Sequence, residues 1–363
     1  MSGAERVVVA MSGGVDSSVA AAIAAESGVE TIGVTMHLAG AASRCCSLDD
    51  ADDARRVAAA LGIRFYVANY AERFRAEVIE RFADGYLHGE TPIPCVACNK
   101  RFKFDHLMER AKVFGATRVA TGHYARIERD ESKGRARLLR AVDREKDQSY
   151  FLFQLDQEQL AQAWFPLGAL RKEEVREQAR ALGLVTADKP ESQEICFVPD
   201  GDYAAVVEAM RPAVARGRAG GDIVDASGRV LGRHEGVHRF TVGQRKGLGL
   251  STGEPLYVVR IDAARRRVVV GRRAELASSR AHVRDVHWVA GVPPAGGVRA
   301  CVRVRHGHVG TAASVEPATG GAARVSFDEP VEAVSPGQAA VFYGLGDARD
   351  EVLGGGWLAR ESV

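Results

Sequence analysis

Near its start the chain passes from a short apolar run, Arg6–Met11 (RVVVAM), through Ser12-Gly13-Gly14-Val15-Asp16-Ser17-Ser18 into a small-residue apolar stretch, Val15–Ala25. Nothing else in the sequence narrows the fold as far. A continuous apolar run of this length suits a strand buried on both faces of a parallel sheet, and the stretch after it reads as a helix. The serines and glycines then form the turn between them. Two glycines let the backbone turn tightly and approach a ligand with no Cβ in the way. The free N–H groups of the turn and the helix start make an anion site, strengthened by the helix dipole. Asp16 is out of place in such a site unless a divalent cation accompanies the anion. No Gly-Lys-Ser/Thr follows, and the glycine spacing is not that of a dinucleotide fingerprint. A bare Gly-Gly would suit a plain structural turn; the whole string in this setting favours nucleotide binding.

The alternation continues. Thr31–His37, Arg64–Ala68 and Thr117–Thr121 read as strands. Leu48–Leu61, Glu72–Leu87 and Asn99–Phe114 read as helices, the last ended by Gly115. This order predicts an α/β domain with a doubly wound parallel sheet. Near Arg211 the character changes to short Gly-, Val- and Arg-rich segments such as YVVRIDAARRRVVVG and AARVSFDEP. These read as turn-bounded strands of small antiparallel barrels or sandwiches, with a break expected near Ser279–Arg284. The expected division is a nucleotide-binding catalytic domain over 1–210, a central β-rich domain over 211–280 and a C-terminal β-barrel over 281–363.

Net charge is +2 over 363 residues, but it is uneven. Residues 1–204 hold 27 Lys+Arg and 31 Asp+Glu (27 − 31 = −4); residues 205–363 hold 22 and 16 (22 − 16 = +6). A basic second half suits a polyanion, or is simply a solvated basic surface. No run of eighteen apolar residues is present and MSGAERVVVAMSGG lacks a basic leader, so a cytoplasmic protein without membrane contact is expected. Six cysteines in such a chain are not expected to form a disulfide framework. Cys45, Cys46 and Cys301 suit small buried hydrophobes. Cys95 and Cys98 lie in TPIPCVACNK, where prolines extend the loop and Asn99 can cap the following helix. A thiol there feels the helix dipole and the nearby Lys100 and Lys103, which favours thiolate. A Cys-x-x-Cys pair can also be half a zinc site, though a second pair is missing. Cys196 lies in the polar segment KPESQEICF.

SGGVDS resembles the pyrophosphate loop of the ATP-pyrophosphatase (PP-loop) superfamily, whose members bind ATP, attach AMP to a substrate oxygen and release pyrophosphate. The whole chain resembles the tRNA-specific 2-thiouridylase family through SGGVDSS, RCCSLDDADDARRVA, TPIPCVACNKRFKF, ATGHYAR, KDQSYFL, KPESQEICFVPDGDY, HEGVHRFTVGQRKGLG and SPGQAAVFY, in that order. The resemblance implies ATP-dependent 2-thiolation of a tRNA wobble uridine, with magnesium beside ATP and sulfur delivered by a cysteine-desulfurase relay. It implies Cys98 as nucleophile and Cys196 as persulfide carrier. It implies ATP binding by Ala10, Met11, Ser12, Gly13, Gly14, Val15, Asp16, Ser17, Met36 and Gly122. Ile93, Pro94 and Cys95 would meet the target base. His123, Lys146, Asp147, Gln148, Arg303, Val304 and Gln338 would contact tRNA. The chain departs from the family at Cys95, where many members have Asp. An alternative is therefore a [4Fe-4S] cluster held by Cys95, Cys98 and Cys196, carrying hydrosulfide. Rival readings are a PP-loop ligase of a small molecule and a non-catalytic nucleotide- or RNA-binding module.

Overall fold

The structure is a computed structural model that describes residues 5–38, 48–132, 134–191, 195–198, 201–213 and 220–360. Cys45 and Cys46 lie outside the described residues.

The first part of the chain builds five parallel strands: β1 (Arg6–Ala10), β2 (Glu30–His37), β3 (Arg64–Asn69), β4 (Arg118–Thr121) and, after the hairpin β5 (Ala125–Asp130)–β6 (Arg135–Arg140), β7 (Ala163–Trp164). Their order is β3-β2-β1-β4-β7. Val7 and Val9 pack into one core, with Val19 of α1 (Val15–Glu26), Val57 of α2 (Leu48–Ala60) and Val175 of α8 (Lys172–Ala181). Val8 packs into the other, with Phe74, Phe82 and Phe102. The period-two alternation thus feeds both faces of the sheet, and each fully buried valine contributes roughly 1.5–3 kcal/mol. The second core is roofed by α3 (Ala71–Phe74), α4 (Glu80–Leu87), α5 (Pro94–Ala97) and α6 (Leu107–Val113). The chain leaves β1 towards β2 on one side and finds β4 on the other, so a crevice opens between the C-terminal ends of β1 and β4. That reversal is where open α/β sheets hold ligands.

The cysteine helix differs from expectation. It begins at Pro94, with Ile93 as N-cap, and not at Asn99. Proline is favoured at a first helical position because its missing N–H would lack a partner there anyway. Cys95 therefore sits in the first turn. From Cys98 to His106 the helix widens into a π-helical stretch, a rare form often found at functional sites. Beyond α7 (Gln157–Gln162), α9 (Tyr203–Met210) closes the first half.

The second half is β-rich. A four-stranded sheet, β10-β11-β8-β9, is formed by β8 (Gly221–Val224), β9 (Val230–His234), β10 (Tyr257–Asp262) and β11 (Arg267–Gly271). A closed six-stranded barrel follows: β12 (Ala277–Trp288), β13 (Val298–Arg303), β14 (Thr311–Ala318), β15 (Ala322–Glu332), β16 (Ala339–Tyr343) and β17 (Val352–Ala359). The expected break at Ser279–Arg284 is absent. β12 runs unbroken through it, and the change of unit falls at the short turn Arg273–Leu276.

The barrel docks on the first domain through buried charge. Glu351, 7% exposed, accepts from Arg135 and Arg137 of β6, both at 3.0 Å. Removing one partner of such a group would leave buried charge uncompensated. Tyr150 Oη donates to the Ala339 carbonyl at 2.9 Å.

Candidate active site

The loop after β1 is shaped by one glycine. Gly13 has φ +74°, and a Cβ there would lie 2.8 Å from the Asp50 carbonyl carbon. Gly14 is the N-cap of α1 and no side chain caps that helix end, so its first N–H groups face the crevice. Within the loop Ser17 Oγ donates to the Gly14 carbonyl (3.0 Å) and accepts from the Ser12 N–H (3.1 Å). Ser18 Oγ also donates to the Gly14 carbonyl (2.9 Å) and accepts from Thr186 (2.9 Å). Gly122, just after β4, lies against the start of α1: a Cβ would stand 2.7 Å from the Asp16 carbonyl carbon.

The crevice holds a cleft of about 340 Å³. Met11, Val34, Met36 and Leu38 give it an apolar wall, and Ser12, Gly14, Asp16 and Ser17 a polar floor. Lys103, Lys146, Lys172 and Lys189 also line it. Only eight lysines occur in the chain, against 41 arginines, and half of them converge here. Lys172 donates to Asp16 Oδ1 at 2.6 Å and pairs with Glu191 at 3.0 Å. Lys146 donates to the other Glu191 oxygen at 2.7 Å. Lys189 donates to the Gly13 carbonyl (3.0 Å), Asp50 (2.7 Å) and Asp53 (2.7 Å). Burial works to raise the Glu191 carboxyl, but bonds from Lys146 and Lys172 outweigh it and hold it below the usual carboxylate range. Burial works against charge on Lys189, and its bonds to Asp50 and Asp53 keep its pKa raised. Tyr124, pushed far up by burial and by Asp16, stays a phenol and donates to Asp16 at 2.9 Å.

His123 joins this cleft to the cysteine helix. It lines the cleft yet is only 6% exposed. Its Nδ1 lies 2.7 Å from Thr121 Oγ1, and its Nε2 lies 3.2 Å from Asn99 Oδ1 and 3.3 Å from Lys103 Nζ. Burial, with Lys103 beside it, pushes its pKa well below 6.5, so the ring is neutral near neutrality. Asn99 does not cap the helix; it donates to the Phe151 carbonyl at 3.2 Å and faces His123. Its neighbour Cys98 and the distant Cys196 both pack, half-buried, against the core under the cysteine helix. Cys95 and Cys301 are half-buried too, and Cys301, expected as a small buried hydrophobe, packs against the core.

The remaining expected residues fall into separate places. Ala10, Met11, Ser12, Gly14, Val15, Asp16, Ser17, Met36, Gly122, His123, Lys146 and Gln148 line the one cleft. Ile93 and Pro94 start the cysteine helix. Four residues expected to contact tRNA or its target base are buried instead, Pro94 and His123 among them. Val304 is 0% exposed inside the barrel core, and Asp147 is 5% exposed. Asp147 accepts from the Ala141 and Ser149 N–H groups and from Ser149 Oγ, because three buried donors around one turn need an acceptor. Arg303, facing Asp147 at 3.8 Å, donates to the His308 carbonyl at 2.8 Å. Gln338 donates to the Thr91 carbonyl at 2.7 Å and so ties the barrel to the loop before the cysteines. The sequence reading missed Lys172, Lys189, Glu191 and Tyr124. The scarcity of lysine was the signal that pointed to the first two.

Among the described residues no three His, Cys, Asp or Glu side chains gather as metal ligands. Cys95, Cys98 and Cys196, as arranged, do not fit a three-thiolate cluster site. Asp16, whose Oδ1 is taken by Lys172 and Tyr124, fits a magnesium ion that takes most of its ligands from water and phosphate.

Three family models match in succession: the tRNA methyl transferase HUP domain over 5–200, the tRNA methyl transferase PRC-barrel domain over 214–272 and the aminomethyltransferase beta-barrel domain over 278–358. Fold and cleft together define a pyrophosphate-loop nucleotide-binding protein with two appended β domains. The tRNA-specific 2-thiouridylase MnmA of Solibacter usitatus is 52% identical over 97% of this chain and 98% of its own length. That of Acidobacterium capsulatum is 50% identical over 97% and 98%. The chain belongs to the tRNA-specific 2-thiouridylase family. A solved 4-thiouridine synthetase–RNA complex with bound ATP matches 58% of this chain and 54% of its own at 19% identity and a TM-score of 0.39, too distant to argue from.

Proposed function

We propose that this chain uses ATP to replace the C2 oxygen of the tRNA wobble uridine with sulfur, in the cytoplasm. The observation that carries the reading is the hydrogen-bonded relay from Thr121 at the end of β4 through His123 to Asn99, the residue next to Cys98 in the chain. It links the cleft, which His123 lines, to the residue beside the thiol. The apolar wall at Met36 takes the adenine, and the α1 N-terminus takes the phosphates. An entering triphosphate competes with Glu191 and Asp16 for Lys146 and Lys172. Magnesium at Asp16 would share the pyrophosphate charge.

The uracil C2 oxygen is a poor leaving group, and AMP transferred to it makes a good one. Lysines and loop N–H groups stabilise charge on the pyrophosphate as it departs. Neutral His123 cannot add a positive charge; it holds Asn99 and the start of the π-helical stretch in place. Cys196 carries the sulfane sulfur from a desulfurase relay. That sulfur attacks C2, AMP leaves, and the Cys98 thiolate closes a disulfide with Cys196 as the S–S bond breaks. An external thiol reductant then supplies two electrons and two protons and returns the pair to free thiols. The uridine must be extruded from its stack to reach the thiols. Iron and sulfide analysis after anaerobic reconstitution tests the three-cysteine cluster alternative, which the arrangement of Cys95, Cys98 and Cys196 does not favour.

The family-model descriptions speak of methyl transfer, but a pyrophosphate loop has no task in that reaction, whereas adenylation requires one. The deciding experiment incubates the protein with ATP, tRNA and a persulfide donor. It measures pyrophosphate release and, by mass spectrometry of nucleosides, 2-thiouridine. Pyrophosphate release without any thiolated nucleoside would refute thiolation; release that does not need tRNA would favour a small-molecule ligase.

A further inference from the structure

Thr241–Gly249 (TVGQRKGLG) of the central domain forms a tongue between the short turn Val237–Arg239 and β10. Its shape is fixed from within. Gln244 accepts from the Thr241 N–H at 3.0 Å and donates to the Lys246 carbonyl at 2.9 Å. The Gly243 N–H donates to the Val258 carbonyl, and the Val258 N–H returns a bond to the Gln244 carbonyl. Leu248, 8% exposed, pins the far end into the domain core. Thr241 at the base bonds Tyr86 and Tyr203 of the first domain, so the tongue has a set direction relative to the cysteine helix.

The tip is charged and unsatisfied. Several other surface arginines of this domain are paired with a carboxylate: Arg229 with Asp225, Arg239 with Glu208 of α9, Arg265 with Asp262 and Arg272 with Glu254. Arg245 and Lys246 are exposed, and among the described residues neither has an ion-pair partner. Behind the tongue a cleft of about 430 Å³ opens where all three domains meet. Arg273 and Arg305 line it beside a single carboxylate, Glu332, and Thr91 closes it on the catalytic side. Arg273 pairs with the Glu332 carboxylate and Arg305 donates to the Glu332 carbonyl. Arg273 and Arg305 thus share one acid in the cleft, and the base of the tongue, Thr241 to Gly243, which leads to the exposed Arg245 and Lys246, forms part of its wall.

We propose that the tongue and this cleft grip the RNA backbone immediately beside the reactive uridine. The inference rests on the tRNA-thiolation reading and adds where the strand lies. Its position follows from chain reach. Thr91 is tied to the barrel, three extended residues bring the chain to Pro94, and a helical turn brings it to Cys98; the span is at most about 17 Å. A strand whose base enters the thiol site must run over neighbouring surface within a few nucleotides. Unpaired cations held on a preformed loop bind phosphate without the entropy cost of ordering.

The test uses the full chain, a full-length tRNA transcript and an isolated anticodon stem-loop RNA. Arg245→Ala/Lys246→Ala should weaken stem-loop binding roughly tenfold at moderate salt and flatten the log affinity–log salt slope by about 1.4, two phosphates at about 0.7 each for single strands. Melting temperature and ATP affinity should stay unchanged. Arg229→Ala/Arg265→Ala, removing cations already paired, should leave RNA binding as it was. Weakening on whole tRNA but not on the stem-loop would overturn the placement beside the uridine. Unchanged binding of both RNAs would overturn the grip itself. Failure of the unaltered protein to bind either RNA would instead overturn the thiolation reading, and the proposal with it.

Discussion

Gly13→Ala and Gly14→Ala change neighbouring residues of one motif in the same way, yet the structure assigns them opposite outcomes. Gly13 holds φ +74°, where an alanine is strained by roughly 1–2 kcal/mol. Its new Cβ would stand 2.8 Å from the Asp50 carbonyl carbon and Cα and closer still to the oxygen. No flexible side chain can yield there, so the loop must shift on the order of 1 Å, an overpacking cost of about 1–3 kcal/mol. The sum is about 2–5 kcal/mol, or a fall in melting temperature of roughly 5–15 °C for a domain of this size. A shift of that size also takes N–H donors out of hydrogen-bond range of a phosphate, so ATP affinity should drop at least about 30-fold. Gly14 has φ −101°, and its Cβ would meet only Ser12 Oγ at 3.7 Å. Alanine there should cost at most about 1 kcal/mol, the price of a weaker N-cap. Thermal melting followed by calorimetric titration with ATP separates the two. Equal melting temperatures for the variants, or ATP binding by Gly13→Ala within threefold of the unaltered protein, would refute the conformational argument.

Four further outcomes are expected. Lys172→Met should weaken ATP binding about 10- to 100-fold, the worth of a charge-assisted bond, with tRNA affinity intact; equal ATP dissociation constants would count against the cleft. Stability should fall as pH drops from 7 towards 5: an unfolded His123 takes up a proton near 6.5, while burial keeps the folded one neutral, so the unfolded state binds more protons and stability is lost on acidification. Melting curves across that range should show the slope, and His123→Gln should flatten it. Gln338→Ala removes the 2.7 Å bond to the Thr91 carbonyl, a loss of about 1 kcal/mol; single-turnover thiolation should slow several-fold with ATP affinity unchanged, and an unaltered rate would show the clamp to be idle. Cys95→Ala should keep thiolation while Cys98→Ala and Cys196→Ala lose it; loss of activity together with bound iron in Cys95→Ala, after anaerobic reconstitution, would instead establish the cluster.

The parallel sheet was legible because its signal is local. Val7–Met11 (VVVAM) is apolar at every position, which only a strand buried on both faces tolerates, and a glycine at φ +74° sits where the motif needed one. The cysteine helix was misjudged by five residues because two rules competed. Asn99 is a good N-cap, but Pro94 is a good first helical residue, and the burial of Pro94 and Val96 decided for the earlier start. Asn99 was then free to bond across to Phe151 and His123, partners 52 and 24 residues away, which no local pattern encodes. Arg303 and Val304 show the converse error. A basic strand looks like an RNA surface, yet β13 alternates, so Val304 just beyond it falls in the barrel core, and Arg303 spends its donors on carbonyls of its own loop.

The lysines show how composition can carry geometry once the background is known. In a chain with 41 arginines, a lysine stands where arginine would have served as a plain surface cation. Lys172 has a residue exposure of 8% and places one ammonium between Asp16 and Glu191. A compact ammonium with three rotatable donors can serve carboxylates in different directions, whereas a planar guanidinium commits its fork to one plane and needs more room. Lys189 meets the same demand with Gly13, Asp50 and Asp53. A phosphate chain moving past such a site changes the direction of its charge as the reaction proceeds, and a rotatable point charge follows it at little cost. The same property that suits lysine to the resting network therefore suits it to the departing pyrophosphate.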